Sequence, residues 1–187
     1  MKKFELTNEF VTNMFGTKLF RIRALVEFGD VEAGELGGYV EKESNLGHDD
    51  NAWVYDNAWV YGNARVYGDA LVYDNARVYG NARVYGNAQV SGDARVCGDA
   101  RVCGNGDYAY AHGFGSVNRT TTFFRLKDGG VGVRCGCFYG TLAQFRDKIR
   151  ETHGETKKAQ EYLMLADLME LRFEEDENEV GNRKYVE

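Results

Sequence analysis

The chain has 187 residues and a formal net charge of −6, with 43% hydrophobic and 28% charged residues. This balance indicates a folded chain, and the negative charge argues against a general binder of duplex nucleic acid. No apolar stretch approaches the ~20 residues of a membrane span. The start of the chain turns polar after two lysines, so no signal peptide is predicted, and the four cysteines are expected to be free thiols in the cytoplasm.

Residues 1–48 are interpreted as an N-terminal β cap that includes the first degenerate repeats. Within them, FGTKLFRIRALVEF at residues 15–28 alternates enough for a strand or a hairpin. Val40 and Leu46 stand in the places of two inward-facing positions of an irregular first coil. A stack of coils has unpaired edges at its ends, so a cap of this kind is expected.

Residues 49–107 repeat one six-residue pattern almost without change, as in VYGNAR. Alanine follows four positions after most of the repeated valines, and Gly-Asn, Gly-Asp or Asp-Asn stands between them. These pairs tolerate a left-handed backbone, which predicts a corner in every hexad. The valines of the repeat are Val54, Val60, Val66, Val72, Val78, Val84, Val90, Val96 and Val102.

A strand this short cannot bury its valine alone, so the hexads are expected to stack. Three hexads would close one triangular turn, and the next turn would lie ~4.8 Å further along. The absence of proline agrees, because every strand must donate hydrogen bonds to its neighbours. The predicted fold is mainly β: a parallel β-helix of about three to four coils, an N-terminal β cap, and a C-terminal α+β appendage with a β-hairpin and two helices.

The hexads resemble the repeat [LIV]-[GAED]-x-x-[STAV]-x of hexapeptide-repeat left-handed parallel β-helix proteins, over residues 52–107. This resemblance implies a left-handed coil and makes a homotrimer the natural assembly. The segment FGDVEAGELGGYVEKESNL, followed by NAWVYDNAWVYGNA, is also similar to uncharacterised hexapeptide-repeat proteins of bacteria and their phages. That second resemblance implies no known activity.

Residues eighteen apart are expected to share one face of the prism. Two faces then carry arginine beside tyrosine, which predicts a site for an anion with a flat ring, although both residues also suit any exposed β surface. The ligand-binding candidates on these faces are Arg65, Tyr67, Arg77, Tyr79, Arg83, Tyr85, Arg95 and Arg101. Contacts between subunits are predicted for Trp53, Tyr55, Leu71 and Tyr73 of the face without cations, and for Trp59 of a neighbouring face.

Residues 108–187 are interpreted as the α+β appendage with an acidic tail. A β-hairpin is predicted around residues 128–130, because two strand-like segments flank Asp-Gly-Gly. Amphipathic helices are predicted in residues 141–154 and 157–173. The tail EEDENEVGNRKYVE is predicted to be mobile.

The segment SVNRTTTFFR places hydroxyl groups between arginines. This arrangement predicts a phosphate clamp of Arg119, Thr121 and Arg125, while solvated threonines on a strand are the commoner explanation for it. Cys135 and Cys137 form a Cys-x-Cys pair without a second pair at matching distance, so neither a metal nor another cofactor is predicted.

His112 is the one catalytic candidate. The resemblance implies that an acyltransferase would use a histidine near a loop that breaks the coils, but residues 52–107 contain neither. The leading hypothesis is therefore a non-catalytic, oligomeric, cytoplasmic protein that captures a nucleotide-like anion or a host or partner protein, as a phage-type sequestering inhibitor would. An acyltransferase using His112 and a purely structural module are the alternatives, with no membrane or duplex nucleic acid as partner.

Overall fold

The computed structural model describes residues 1–115 and 117–174. Antiparallel strands at the N-terminus lead into a stack of parallel coils, which ends in a C-terminal sheet packed against two helices. The predicted fold class, mainly β with a parallel β-helix, a β cap and an α+β appendage, is confirmed. The left hand of the coils stays a prediction, and the predicted mobile tail lies outside the described residues.

The cap consists of three strands, each hydrogen-bonded antiparallel to the next. They are β1 (Phe4–Thr12), β2 (Lys18–Ala24) and β3 (Leu36–Val40). The predicted strand in residues 15–28 is thus β2, which forms a hairpin with β1.

Nine two-residue strands build the coils, and each ends on the inward valine of its hexad. They are β4 (Trp53–Val54), β5 (Trp59–Val60), β6 (Arg65–Val66), β7 (Leu71–Val72), β8 (Arg77–Val78), β9 (Arg83–Val84), β10 (Gln89–Val90), β11 (Arg95–Val96) and β12 (Arg101–Val102). They form the sheets β4-β7-β10 and β6-β9-β12, and β5-β8-β11 continues the sheet of the cap. Partners stand eighteen residues apart, as Arg65 and Arg83 do, so the predicted coil of three hexads is confirmed.

The repeated valines and alanines fill the interior of the coils, where none is more than 1% exposed. Backbone hydrogen bonds run from one coil to the next, as from Arg65 N to Ala82 O at 2.9 Å and from Tyr67 N to Val84 O at 3.1 Å. Proline is incompatible with this ladder, because every strand donates its N–H groups along the stack.

The corners of the coils explain the glycines of the repeat. Gly80 has a φ of 72°, and a Cβ added there would lie 2.9 Å from the nitrogen of Gly98 in the next coil. A second column uses Asp56 and Asp74, with φ of 51° and 59°, and the Asp56 carboxylate accepts a hydrogen bond from Asp74 N at 3.3 Å. Aspartate tolerates the left-handed region better than most residues, so both columns turn the chain sharply.

The first coil starts inside the cap and is longer than the others. Val40 pairs with Val60 and Leu46 with Val66, in each case twenty residues apart. Both inward positions predicted for this coil are buried. The two additional residues fall in segment 47–52, because the pairing that follows it has the usual spacing of eighteen.

The C-terminal sheet is antiparallel and has four strands in chain order. They are β13 (Tyr108–Phe114), β14 (Arg119–Arg125), β15 (Val131–Cys135) and β16 (Phe138–Thr141), and the predicted hairpin is β14–β15. The helices α1 (Leu142–His153) and α2 (Lys157–Phe173) follow. Thr141 caps α1 by accepting a hydrogen bond from Gln144 N at 3.3 Å. No helix in the described ranges is long and apolar enough to span a membrane.

This sheet lies between two hydrophobic cores. Phe123 and Phe124 point to opposite faces of β14, and both are fully buried. Phe124 joins the core of the coils, whereas Phe123 packs beneath the helices with Phe145 and Tyr162. The sheet therefore closes the open end of the coils with one face and carries the helices on the other.

Candidate functional site

The three faces of the coils carry the side chains that the eighteen-residue spacing assigns to them. The sheet β6-β9-β12 carries a stacked row of arginine and tyrosine, here called the ladder face. Its residues are Arg65, Tyr67, Arg83, Tyr85 and Arg101. The rings of Tyr67 and Tyr85 stack 5.2 Å apart at an interplanar angle of 5°. These rings therefore form an aromatic stack beside the arginines.

Two of the ladder arginines are available to a ligand. Arg65 and Arg83 are exposed, and within the described ranges neither side chain forms an ion pair or a hydrogen bond. Arg101 differs, because its Nη1 donates to Asn81 O at 3.1 Å and to Ala100 O at 2.9 Å. The ladder thus offers two free guanidinium groups on successive coils, while its third arginine bonds the backbone.

A groove of about 700 Å³ runs along the start of the ladder face. Its lining residues are Glu43, Ser44, Leu46, Gly47, His48, Asp49, Arg65, Val66, Tyr67 and Arg83. The wall beside the arginines comes from residues 43–49 of the first coil, next to the place where that coil is two residues longer. The longer coil therefore gives the ladder face a concave edge.

The contacts of His48, in the wall of the groove, determine where its ring carries a proton. Its ring stacks on Phe4 with centroids 4.5 Å apart, and its Nδ1 accepts a hydrogen bond from Lys3 N at 3.2 Å. Burial lowers the pKa of His48 below its usual value, so the ring is neutral at pH 7 and carries its proton on Nε2. Of the two carboxylates in the wall, Glu43 pairs with Lys2 at 2.5 Å, whereas Asp49 forms no ion pair with the described residues.

The second arginine face is occupied by the chain itself. Arg77 lies over the ring of Trp59, 4.3 Å from its centroid, and Tyr79 lies near the buried sulfur of Cys97. Burial raises the pKa of Tyr79, so its hydroxyl stays protonated. The backbone of Arg95 donates to Thr122 Oγ1 of the C-terminal sheet at 2.9 Å. The ligand-binding role expected for Arg77 and Tyr79 is therefore not favoured, because Trp59 engages the one and burial removes much of the other from solvent. For Arg95 that role stays a prediction, because only its backbone N–H is engaged.

Among the residues predicted for contacts between subunits, Trp53 is a correction. It has no exposed surface, because Phe4 and Phe28 of the cap pack on its ring at 6.2 and 5.3 Å. A second copy cannot reach it. Tyr55, Leu71 and Tyr73 keep part of their surface and Trp59 lies beneath Arg77, so for these four the contact stays a prediction.

The predicted phosphate clamp does not form. Thr121 is fully buried and its hydroxyl donates to the sulfur of Cys135 at 3.1 Å. Arg125 is 6% exposed and pairs with the buried carboxylate of Asp107 at 3.4 Å. Only Arg119 reaches the surface, because the alternation of β14 turns all three side chains toward the helices and the helices cover the other two.

His112 is exposed on β13, and its Nδ1 lies 2.8 Å from Thr120 Oγ1. It lines neither the groove nor the cavities of about 250 and 340 Å³ formed by other described residues. Nowhere in residues 1–115 and 117–174 do three or more His, Cys, Asp or Glu side chains gather where they could hold a metal ion. No arrangement of groups around His112 therefore singles out a reaction.

Comparison with protein families finds a match in the coils. Residues 58–74, 64–78, 76–92 and 88–104 match the family model described as the YdcK beta solenoid repeat. A search of curated proteins finds no match. The matched segments lie within the stacked strands, so the family match and the observed fold both indicate a β-solenoid in this region. The chain is a β-solenoid repeat protein, similar over residues 58–104 to the YdcK repeat.

Proposed function

We propose that the protein is a non-catalytic binding protein that holds a small nucleotide-like anion in the groove of the ladder face. The observation that carries this proposal is the pair of exposed guanidinium groups of Arg65 and Arg83, which have no partner in the described chain and stand on successive coils at the edge of a cavity. Stacked coils repeat at ~4.8 Å, so the two groups can bind neighbouring oxygens of one phosphate-bearing ligand.

The remaining surfaces of the groove suit the other half of such a ligand. The ring of Tyr67, which lines the groove and stacks on Tyr85, offers apolar surface against which a base or similar ring can pack. His48 Nε2–H adds a neutral hydrogen-bond donor in the wall. Asp49 opposes binding of the anion, so the phosphate is expected at the arginine side of the groove.

The proposal also includes the repeat family, the hand of the coils, the oligomeric state and the cellular location. The repeat residues support a hexapeptide-repeat protein with left-handed coils, and the partly exposed Tyr55, Leu71 and Tyr73 support a homotrimer. Cys97, Cys135 and Cys137 form no disulfide in the described chain, which supports a reducing, cytoplasmic setting. The resemblance of the first coils to phage and bacterial repeat proteins supports a sequestering role, in which the bound anion is withheld from its normal users.

Titration of the purified protein with adenosine monophosphate in a calorimeter tests the groove. The substitution Arg83→Gln should weaken binding about tenfold or more, because a charge-assisted contact is lost. Tyr67→Leu should weaken adenosine monophosphate while leaving inorganic phosphate unchanged. Arg150→Gln, an exposed arginine on α1, is the matched control for the loss of one charge.

Two results would contradict the proposal: no binding of either probe at millimolar concentration, or equal weakening by Arg83→Gln and Arg150→Gln. Native mass spectrometry of the same wild-type sample measures the oligomer independently. Three copies are expected, and a monomer would reject the trimer without affecting the groove.

A further inference from the structure

A second cavity, of about 250 Å³, lies between the C-terminal sheet and the two helices. Its buried lining includes the aromatic residues Phe145 and Tyr162, with Phe138 partly exposed beside them. Arg119, Lys148 and His153 line it closer to solvent. The volume is close to the lower end for small-molecule sites, which begin at roughly 300 Å³.

The charged residues that the described chain contributes to this cavity have one sign. Arg119 and Lys148 are cations, and none of the described lining residues is an aspartate or a glutamate. This is notable in a chain with a net charge of −6. Lys148 pairs with Glu151 at 2.8 Å, but both side chains are more than half exposed, so the pair is weak and Lys148 can turn toward a ligand.

Arg119 has no such competitor. Its side chain forms no ion pair or hydrogen bond with the chain described in residues 1–115 and 117–174. Its guanidinium lies against Gly136, where a Cβ would collide with Nη1. The tight turn between Cys135 and Cys137, with a φ of 58° at Gly136, thus leaves the space in which the guanidinium sits. Packing against Gly136, and not an ion pair with a described residue, therefore positions Arg119 beside the cavity.

The polar atoms of the aromatic lining are already satisfied. Tyr162 Oη donates to Phe114 O at 3.2 Å, and burial together with the nearby Cys135 raises the pKa of Tyr162 to about 12. Cys135 in turn accepts the hydroxyl of Thr121. The inner part of the cavity therefore offers a ligand the apolar surface of aromatic rings. The outer part offers it positive charge.

We propose that this cavity is a binding site for a small molecule in which a single aromatic ring carries one anionic group, phosphate or carboxylate. The ring packs against Phe138 and Phe145, and Arg119 and Lys148 pair with the anion. The site lies on different elements from the ladder face and does not depend on the groove being a ligand site.

Phenyl phosphate is the probe, with inorganic phosphate and phenol as its two halves. The readout is alkylation of the exposed Cys137, which lines the cavity, by neutral iodoacetamide followed by mass spectrometry. Phenyl phosphate should slow alkylation of Cys137 at concentrations at which neither half has an effect. The concentration needed for half-protection measures its affinity.

Arg119→Gln should raise that concentration about tenfold or more, because a charge-assisted bidentate contact is lost. Lys148→Gln, on the exposed side of α1, tests the same anion contact without disturbing the turn at Gly136, and a severalfold loss is expected. Lys157→Gln, an exposed cation of α2 that does not line the cavity, should change nothing. Absence of protection, or equal protection in all three variants, would overturn the proposal. Because adenosine monophosphate binding is tested through Arg83, either proposal can fail without the other.

Discussion

The two ends of the solenoid are closed in different ways. At the N-terminal end, β3 continues the sheet of β5, β8 and β11, so the cap meets the coils through the same backbone ladder that joins the coils to each other. At the C-terminal end, the closing sheet is antiparallel and meets the last coil mainly through side chains. Thr122 accepts from Arg95 N at 2.9 Å, and Arg125 pairs with Asp107 in the interior.

The comparison shows what each kind of closure leaves for binding. An end that continues a sheet covers only one face, and here it leaves the groove beside Arg65 and Arg83 open. An end closed by a sheet laid across the coils covers Cys97 and the end of its face, but it brings a second core and a second cavity with it. The two ends and the coils between them are therefore expected to respond differently to substitution.

The largest effect is expected at the C-terminal end. Arg125→Met should lower the free energy of unfolding by about 3–5 kcal/mol, because it removes the guanidinium that pairs with the buried carboxylate of Asp107. It also removes the hydrogen bond from Arg125 Nη2 to Phe173 O, 3.1 Å long, at the end of α2. Urea denaturation measures the loss, and alkylation of Cys97 should accelerate as the covering sheet detaches. A loss below about 1 kcal/mol would contradict the structural role assigned to Arg125.

An intermediate effect is expected between the ends. Gly80→Ala should cost about 1–3 kcal/mol, because it combines a φ of 72° with a Cβ 2.9 Å from the nitrogen of Gly98. Gly104→Ala is the control, since Gly104 has extended backbone and no atom within 4 Å of an added Cβ. Thermal unfolding should separate the two variants clearly. Equal melting temperatures would show that the corner columns are not tightly packed.

The smallest effect concerns the N-terminal end and depends on pH. Lys3 is 3% exposed, and its Nζ donates to Asp50 O at 2.7 Å and Ala52 O at 2.8 Å. Burial lowers its pKa to about 8, although Asp50 and Asp49 oppose this shift. The neutral amine still has two N–H groups for the two carbonyls.

The pKa of Lys3 is lower in the folded chain than in the unfolded chain, so the unfolded chain binds more protons between about pH 8 and 10.5. The contribution of Lys3 to the free energy of unfolding therefore rises with pH in that window. Lys3→Met should be destabilised by about 1 kcal/mol at pH 7, since two carbonyls lose their donor. The difference from the wild-type protein should widen by about 1 kcal/mol by about pH 8.7. Urea titrations at both pH values test this, and a constant difference would reject the proposed titration of Lys3.

The fold could be predicted because the repeat carries its geometry in its spacing. Six-residue valines and eighteen-residue faces leave one way to pair the strands, and the structure pairs Arg65 with Arg83 accordingly. What a repeat cannot indicate is which face another part of the chain will cover. Trp53 and Arg77 occupy equivalent hexad positions to the exposed Arg83, yet Phe28 covers one and Trp59 engages the other.

The spacing of the repeat also predicts part of the candidate site. Arg65 and Arg83 are exposed as their hexad positions predict, whereas the wall with His48 depends on the longer first coil. The spacing of twenty from Val40 to Val60 was the available signal for that coil. Lys148 and His153 lie more than twenty residues from Arg119 in the chain and meet it only through the packing of α1 on the sheet, which no local pattern encodes.

The uniform coil length restricts how this protein can change size. Duplication or loss of eighteen residues, as from Val60 to Val78, would lengthen or shorten the body by one layer and leave both caps above the same faces. A gain or loss of a single hexad would instead rotate the C-terminal cap by a third of a turn relative to the N-terminal one. The cap built to cover Cys97 would then meet a different face, so lineages of such proteins are expected to differ in length by whole coils.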